Sequence, residues 1–179
     1  MIELRNSTLA RLGDAVQVPA YDRAGLTAGI VHFGVGSFHR AHQALIIDDL
    51  LNQGLGRDWA ICGVGVMPGD TAMRDVLLAQ DGLYTMVAKY PDGRLEARVI
   101  GSIIDYLYAP DDVESVIERM ASPEIRVVSL TVTEGGYNIH PSTGEFDLSQ
   151  PLVRADLMAG SAPATVFGIT VEALRRRRE

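Results

Sequence analysis

Residues 30–42 read Ile30-Val31-His32-Phe33-Gly34-Val35-Gly36-Ser37-Phe38-His39-Arg40-Ala41-His42, and the fold turns on this stretch. A short apolar run enters a Gly-x-Gly and passes at once into helix-compatible residues. That is the pattern of a strand, a tight turn and a helix whose first turn presents unpaired N–H groups. Such a turn suits a phosphate. Gly34 lets the chain leave the strand sharply, and Gly36, lacking a Cβ, leaves room for a pyrophosphate against the backbone. His39 stands where the dinucleotide fingerprint has its third glycine, so spacing alone gives a partial match in a chain with 18 glycines.

Outward from this turn the apolar pattern alternates between strand and helix. Residues 1–28 read as an approach segment: Asn6 or Ser7 is placed to cap a short helix through Leu12, and Pro19 imposes an extended passage to the first strand. After the turn, Ala41, Ala44, Leu45, Ile47 and Leu51 recur at helical spacing until Gly54 and Gly56. Residues 59–66 form a second strand, apolar throughout as a strand covered on both faces should be. Met67-Pro68-Gly69-Asp70 then lead into a helix with Met73, Val76, Leu77 and Gln80 on one side.

Two strand-like runs, 83–90 and 94–104, are joined by Pro91-Asp92-Gly93 and predict an inserted antiparallel hairpin. Pro110-Asp111-Asp112 opens a helix carrying Val113, Val116, Ile117, Met120 and Ala121, stopped by Ser122-Pro123. Residues 125–132 predict another buried strand, 138–164 a loop-rich passage, and a last helix begins near Thr165 with Val166, Ile169, Thr170, Ala173 and Leu174 inward. The fold class is α/β: a Rossmann-like, doubly wound, mostly parallel sheet with an antiparallel hairpin insertion, its domain spanning 29–179.

At 179 residues, 47% of them hydrophobic and 22% charged, the chain is long enough to bury one sizeable core. The excess of 23 acidic over 16 basic residues, a net charge of −7, disfavours nucleic acid as a partner, since phosphate-binding surfaces need a basic patch. Cys62 is the one cysteine, permits no internal disulfide, and sits in an apolar strand as a small buried hydrophobe. No apolar run approaches the ~20 residues of a membrane helix, and no secretory leader opens the chain, so the cytoplasm is the expected location.

The candidate site residues cluster at strand ends. Asp70, just past the second strand, is where an adenosine ribose would be gripped, and it is equally placed to cap the next helix; it follows Gly36 by 34 positions, further than the usual ~20. Ser37, Phe38, His39 and Arg40 follow the glycines and are expected near the cofactor phosphates, with His42 packing or capping. His39 and His42 stand three apart, but no cysteine or carboxylate cluster completes a metal site, and none is expected. Glu134, before Gly135-Gly136 at the carboxyl end of a core strand, lies where open α/β sheets place their ligands. Arg175-Arg176-Arg177-Arg178 is expected as a solvated helix end.

The string Gly34-Val35-Gly36-Ser37-Phe38-His39-Arg40-Ala41-His42-Gln43 resembles the signature of the mannitol dehydrogenase family, the long-chain polyol-specific dehydrogenases. Trp59-Ala60-Ile61-Cys62-Gly63-Val64-Gly65 is similar to its second strand, and the stretch from Ser122 to Tyr137, with Thr133-Glu134-Gly135-Gly136-Tyr137, to its next core strand and loop. The resemblance implies hydride transfer between a polyol or sugar acid and NAD, with NADP also admitted. It implies Glu134 at the substrate-site entrance, and an acidic pair at the strand end of which Asp70 is present while Gly69 replaces its neighbour. It places the base, a lysine, and its asparagine helpers in a second, mostly helical domain beyond this segment, leaving no catalytic base here; Lys89, the only lysine, lies on the hairpin. D-mannitol is the leading substrate, and Val66-Met67-Pro68-Gly69 keeps fructuronate or tagaturonate as the alternative. Rival classes are an S-adenosylmethionine-binding methyltransferase-like domain and a non-catalytic nucleotide-binding module.

Overall fold

The computed structural model describes residues 3–13, 16–131, 134–158 and 160–178, without the side chains of residues 134 and 135. Four parallel strands form the central sheet: β1 (Ala28–Phe33), β2 (Ala60–Gly65), β5 (Ile103–Tyr108) and β6 (Val127–Leu130), in the order β5-β2-β1-β6. Strands β3 (Tyr84–Lys89) and β4 (Leu95–Ile100) pair antiparallel as a separate hairpin. Every residue of β1 and β2 is buried, because the sheet flanks these two strands on both sides and layers cover both faces.

Helices α1 (Ser37–Ala41), α2 (Gln43–Asn52), α3 (Thr71–Ala79), α4 (Val113–Ala121), α5 (Pro151–Asp156) and α6 (Val166–Arg178) complete the layers. One cluster packs Val31, Phe33, Cys62 and Val64 against Val116, Ile117 and Met120 of α4 and Ile169 and Ala173 of α6. The other packs Ile30, Ile61 and Ile103 against Ala44 of α2 and Leu77 of α3. Asp112 starts α4 by accepting the Ser115 N–H at 3.0 Å, a capping bond of the ordinary kind.

Several sequence expectations are corrected. The strand-like run 94–104 is two strands, because the chain leaves the hairpin at Gly101-Ser102 and β5 enters the main sheet beside β2. The helix after the glycine turn is broken at His42, whose ψ of −84° interrupts the helical path between α1 and α2. Strand β6 is half-exposed, with Val127 and Val128 at 38%, since among the described residues no strand pairs with its outer edge. Val76 and Leu174 face solvent, leaving Leu77 on α3 and Val166, Ile169 and Ala173 on α6 as the buried positions. The loop-rich passage holds α5, and Val132 and Thr133 lie outside the described residues. The arginine run is largely engaged: Arg176 pairs with Glu114 and Glu172, and Arg177 donates to the Met120, Ser122 and Ile125 carbonyls.

The hairpin is held to the sheet by a buried carboxylate. Asp48 of α2 is fully buried and accepts from Tyr21 Oη, the Gly101 N–H at 2.8 Å, Arg98 Nη2 at 2.6 Å and Asn52 Nδ2 at 3.0 Å. It therefore ties the approach segment, α2, β4 and the entry to β5 together. Removing the carboxylate takes one of the two counter-charges from the mostly buried Arg98, which keeps Asp49 at 2.7 Å, and leaves the Tyr21 hydroxyl and the Gly101 N–H without their acceptor, so Asp48→Ala is expected to cost about 3–5 kcal/mol. Urea unfolding of the two proteins at neutral pH measures this, and a loss under about 1 kcal/mol would show that the network contributes little.

Candidate functional site

The carboxyl ends of β1, β2 and β6 open onto a cleft of about 730 Å³, at the point where the sheet order reverses and open α/β sheets bind ligands. Gly34, Gly36, Ser37, Phe38, Asp70 and Thr131 are among the residues lining it. Gly34 has φ +84°, a conformation that favours glycine, and a Cβ there would fall 2.8 Å from the Thr131 carbonyl oxygen. Its N–H donates to the Val64 carbonyl at 3.0 Å, and its own carbonyl accepts from the Gly36 N–H at 2.7 Å and the Thr131 hydroxyl at 2.8 Å. Gly36 is not held to glycine by its neighbours in this way. A Cβ there would meet no protein atom nearer than 4.0 Å, so the space it leaves belongs to the cleft. Gly36 is also the N-cap of α1 with no side chain capping it, which leaves the first-turn N–H groups for an anionic ligand.

Asp70 is half-buried on the cleft wall, where its Oδ2 accepts from the Val66 and Met67 N–H groups, each at 2.9 Å. It makes no side-chain capping bond to α3, so the capping role open from the sequence is not the one adopted. Its Oδ1 takes no hydrogen bond from the described residues. Two backbone donors fix the carboxylate at the end of β2 and leave one oxygen for a ligand hydroxyl.

His39 and Arg40, expected beside the phosphates, are not among the residues lining the cleft. His39 is buried and stacks on His32 of β1, with ring centroids 3.7 Å apart and planes 13° apart; neither of its ring nitrogens has a hydrogen-bond partner among the described residues. Arg40 turns toward Met73 Sδ and the Val35 carbonyl, while the Tyr84 hydroxyl donates to the Arg40 carbonyl at 2.6 Å. His42 donates from Nδ1 to the Phe38 carbonyl at 2.8 Å and stacks on the Phe38 ring. Glu134 begins a one-turn 3-10 helix, Glu134–Tyr137, and its side chain lies outside the described residues; Tyr137 of the same turn lines the cleft.

Sequence reasoning missed the polar layer under the turn. His32, Gln43, Ser129 and Thr131 are joined by hydrogen bonds behind the glycines. The signal lay in the alternation Ser129-Leu130-Thr131, which sets two hydroxyls on one face of the strand beside a histidine in an otherwise apolar run. Lys89 is exposed on β3, and Cys62 is buried with its thiol pushed up to about 12 by that burial. Among the described residues no cluster of His, Cys, Asp or Glu is arranged to hold a metal, and no helix is long and apolar enough to cross a membrane.

A parallel sheet of this order, with a glycine turn at its switch point and an acid at the end of the neighbouring strand, defines a Rossmann domain. The profile described as the mannitol dehydrogenase Rossmann domain matches residues 28–179, and the chain belongs to the mannitol dehydrogenase family. It is 51% identical over 177 residues to a mannitol 2-dehydrogenase of Pyrenophora tritici-repentis, covering 98% of this chain and 31% of that protein. It is 47% identical over 178 residues to a polyol:NADP oxidoreductase of Gluconobacter oxydans, covering 98% and 36%. Two solved structures superpose on it: Pseudomonas fluorescens mannitol 2-dehydrogenase in a ternary complex with NAD and D-mannitol (TM-score 0.93, 48% identity), and a substrate-free D-sorbitol dehydrogenase (TM-score 0.91, 46% identity). Each comparison covers 99% of this chain and 36% of the other. The chain thus spans about a third of the length of the relatives it matches.

Burial lowers the pKa of His32 to about 4; burial first, then the neighbouring His32 and Arg40, lowers that of His39 to about 3. Both folded values lie below the ordinary 6.5, so the unfolded chain takes up the protons first. Stability from this pair is full above about pH 6.5 and is lost as the pH falls toward 4, with uptake on unfolding approaching about two protons. Urea midpoints at pH 7, 6 and 5 test this: the parent should weaken steadily and a His32→Phe/His39→Phe double variant should weaken less. Equal slopes would mean the pair is not held neutral.

Proposed function

We propose that this chain is the cofactor-binding part of an NAD-dependent polyol dehydrogenase that interconverts a sugar alcohol, D-mannitol first, and its ketose. The observation that carries it is the open space at Gly36 beside the uncapped start of α1, with the Asp70 carboxylate held at the next strand end. The pyrophosphate lies against Gly34–Gly36 and the first N–H groups of α1, and Asp70 Oδ1 accepts from an adenosine ribose hydroxyl. When bound, NAD supplies the hydride acceptor. The chain's own residues bind and orient it, and Glu134 borders the substrate side of the cleft. His39 and Arg40 contribute from behind the turn. The proton-abstracting lysine and its asparagine helpers belong to a region outside these 179 residues. Relatives named for NADP and solved with NAD both exist, and the single carboxylate Asp70 supports NAD here, because a 2′-phosphate placed against it would be repelled. Action on a soluble cofactor pool is in keeping with the cytoplasm.

Calorimetric titration with NAD and NADP tests the assignment. Gly36→Val should abolish measurable NAD binding while circular dichroism and the urea midpoint stay near the parent's, since the added methyls enter the cleft and meet little protein. Parent-like affinity in that variant would sink the turn as the phosphate site. Asp70→Ala should weaken NAD about tenfold or more through the lost charged hydrogen bond and narrow the gap to NADP. An unchanged NAD-to-NADP ratio, even with some stability lost through the freed Val66 and Met67 N–H groups, would confine Asp70 to a structural role.

A further inference from the structure

For a neutral His32, the contact between Thr131 and the Gly34 carbonyl fixes the order of protons beneath the turn. Thr131 has a single hydroxyl proton and two close polar neighbours, the Gly34 carbonyl at 2.8 Å and His32 Nε2 at 3.1 Å. A carbonyl only accepts, so the Thr131 proton goes to Gly34; were it given to His32, two oxygens would oppose their lone pairs at 2.8 Å. Thr131 must then accept from His32, which places a hydrogen on Nε2. His32 Nδ1 is the acceptor, and it receives the Ser129 proton at 2.8 Å. Gln43 Nε2 and Oε1 both lie 3.3 Å from the Ser129 oxygen, and with the serine proton committed to His32 the hydrogen bond of that pair is the one from the Gln43 amide N–H to the serine oxygen. The bonds therefore run in one direction from α2 to the turn: Gln43 to Ser129, Ser129 to His32, His32 to Thr131, Thr131 to the Gly34 carbonyl.

We propose that His32, as its neutral Nε2–H tautomer, is the positioning residue of the Gly34–Gly36 turn, holding its carbonyl through Thr131 and its helix through the stack on His39. The ring works in two directions. In its plane it orients the Thr131 hydroxyl, which fixes the peptide that follows the positive-φ glycine. Across its face it carries His39, the third residue of α1, so the first turn of that helix is seated on the end of β1. A phosphate bound by backbone N–H groups gains from having those groups already aimed, because ordering the turn on binding would subtract from affinity. This role rests on the reading of the turn as the cofactor site, while the tautomer does not.

The tautomer is read on the 179-residue chain without cofactor, by long-range nitrogen–proton NMR of the histidine rings, with His32 assigned by its absence in His32→Phe. A pyrrole-type Nε2 and pyridine-type Nδ1 at pH 7 are expected; an Nδ1–H ring or an imidazolium overturns the proposal. Thr131→Val keeps the shape and removes the hydroxyl, and should loosen the Nε2–H preference and weaken NAD about fivefold to tenfold, the worth of one such hydrogen bond. Thr131→Ser restores the hydroxyl and should bind within about twofold of the parent. Parent-like NAD affinity in Thr131→Val, or equal weakening in both variants, overturns the positioning role. Gly36→Val separates the two failures: if it loses NAD while Thr131→Val does not, the relay alone falls, and if it binds as the parent does, the turn reading falls and the relay's role with it.

Discussion

The Gly34 carbonyl accepts two hydrogen bonds, from the Gly36 N–H at 2.7 Å and the Thr131 hydroxyl at 2.8 Å, and the geometry of the cleft depends on where these hold it. One bond is local and closes the turn; the other comes from beyond β6 and ties the turn to a strand 97 positions away in sequence. The Gly34 N–H meanwhile donates to Val64, so the same residue is bound to both strands that flank β1. A residue with a Cβ cannot take this place. It would strain at positive φ and press on the carbonyl of Thr131, the residue whose N–H donates to the Phe33 carbonyl at 3.1 Å. The constraint on Gly34 is therefore internal to the fold, whereas at Gly36 no neighbouring protein atom opposes a side chain.

Polar groups inside this domain are few, and each serves to connect elements distant in sequence. Asp48 joins four segments through one carboxylate, and His32 joins β1, α1 and the end of β6 through one ring. Both are buried, so their cost is offset only by partners placed to satisfy them. Asp48 meets that condition with ionic and neutral donors. His32 meets it by staying uncharged between two hydroxyls, which is why burial drives its pKa down with no carboxylate at hand to oppose it. The apolar clusters on the two faces of the sheet supply the bulk of the burial, and these two residues fix how the layers are registered.

The strand–turn–helix at Gly34, the hairpin at Pro91-Asp92-Gly93 and the start of α4 at Asp112 were legible because each depends on neighbours in sequence. What was not legible depends on partners far away. Residues 94–104 read as one strand-like run, and only the pairing of Ile103 with Ile61 shows that the chain changes sheets within it. The burial of β6 was overestimated because apolar character reports what a strand can have on its faces and says nothing of its outer edge. His39 reads as a phosphate neighbour from its place after the glycines, yet helical rotation of α1 carries its side chain inward onto His32 while Ser37 and Phe38 stay on the cleft.

In the proposed reading, Asp70 serves structure and selectivity with one carboxylate. Its Oδ2 satisfies two N–H groups at the end of β2, which orders the chain where a cofactor ribose would lie, and its Oδ1 is left for that ribose. Arg74, one turn further along α3, pairs with Asp75 at 2.9 Å and Asp111 at 2.6 Å, lies over the Tyr108 ring and is not among the residues lining the cleft. A 2′-phosphate placed against the Asp70 carboxylate would be repelled, whereas a neutral ribose hydroxyl would find an oriented acceptor there. Relatives of nearly equal identity differ in the cofactor their names carry, so overall similarity does not decide the choice.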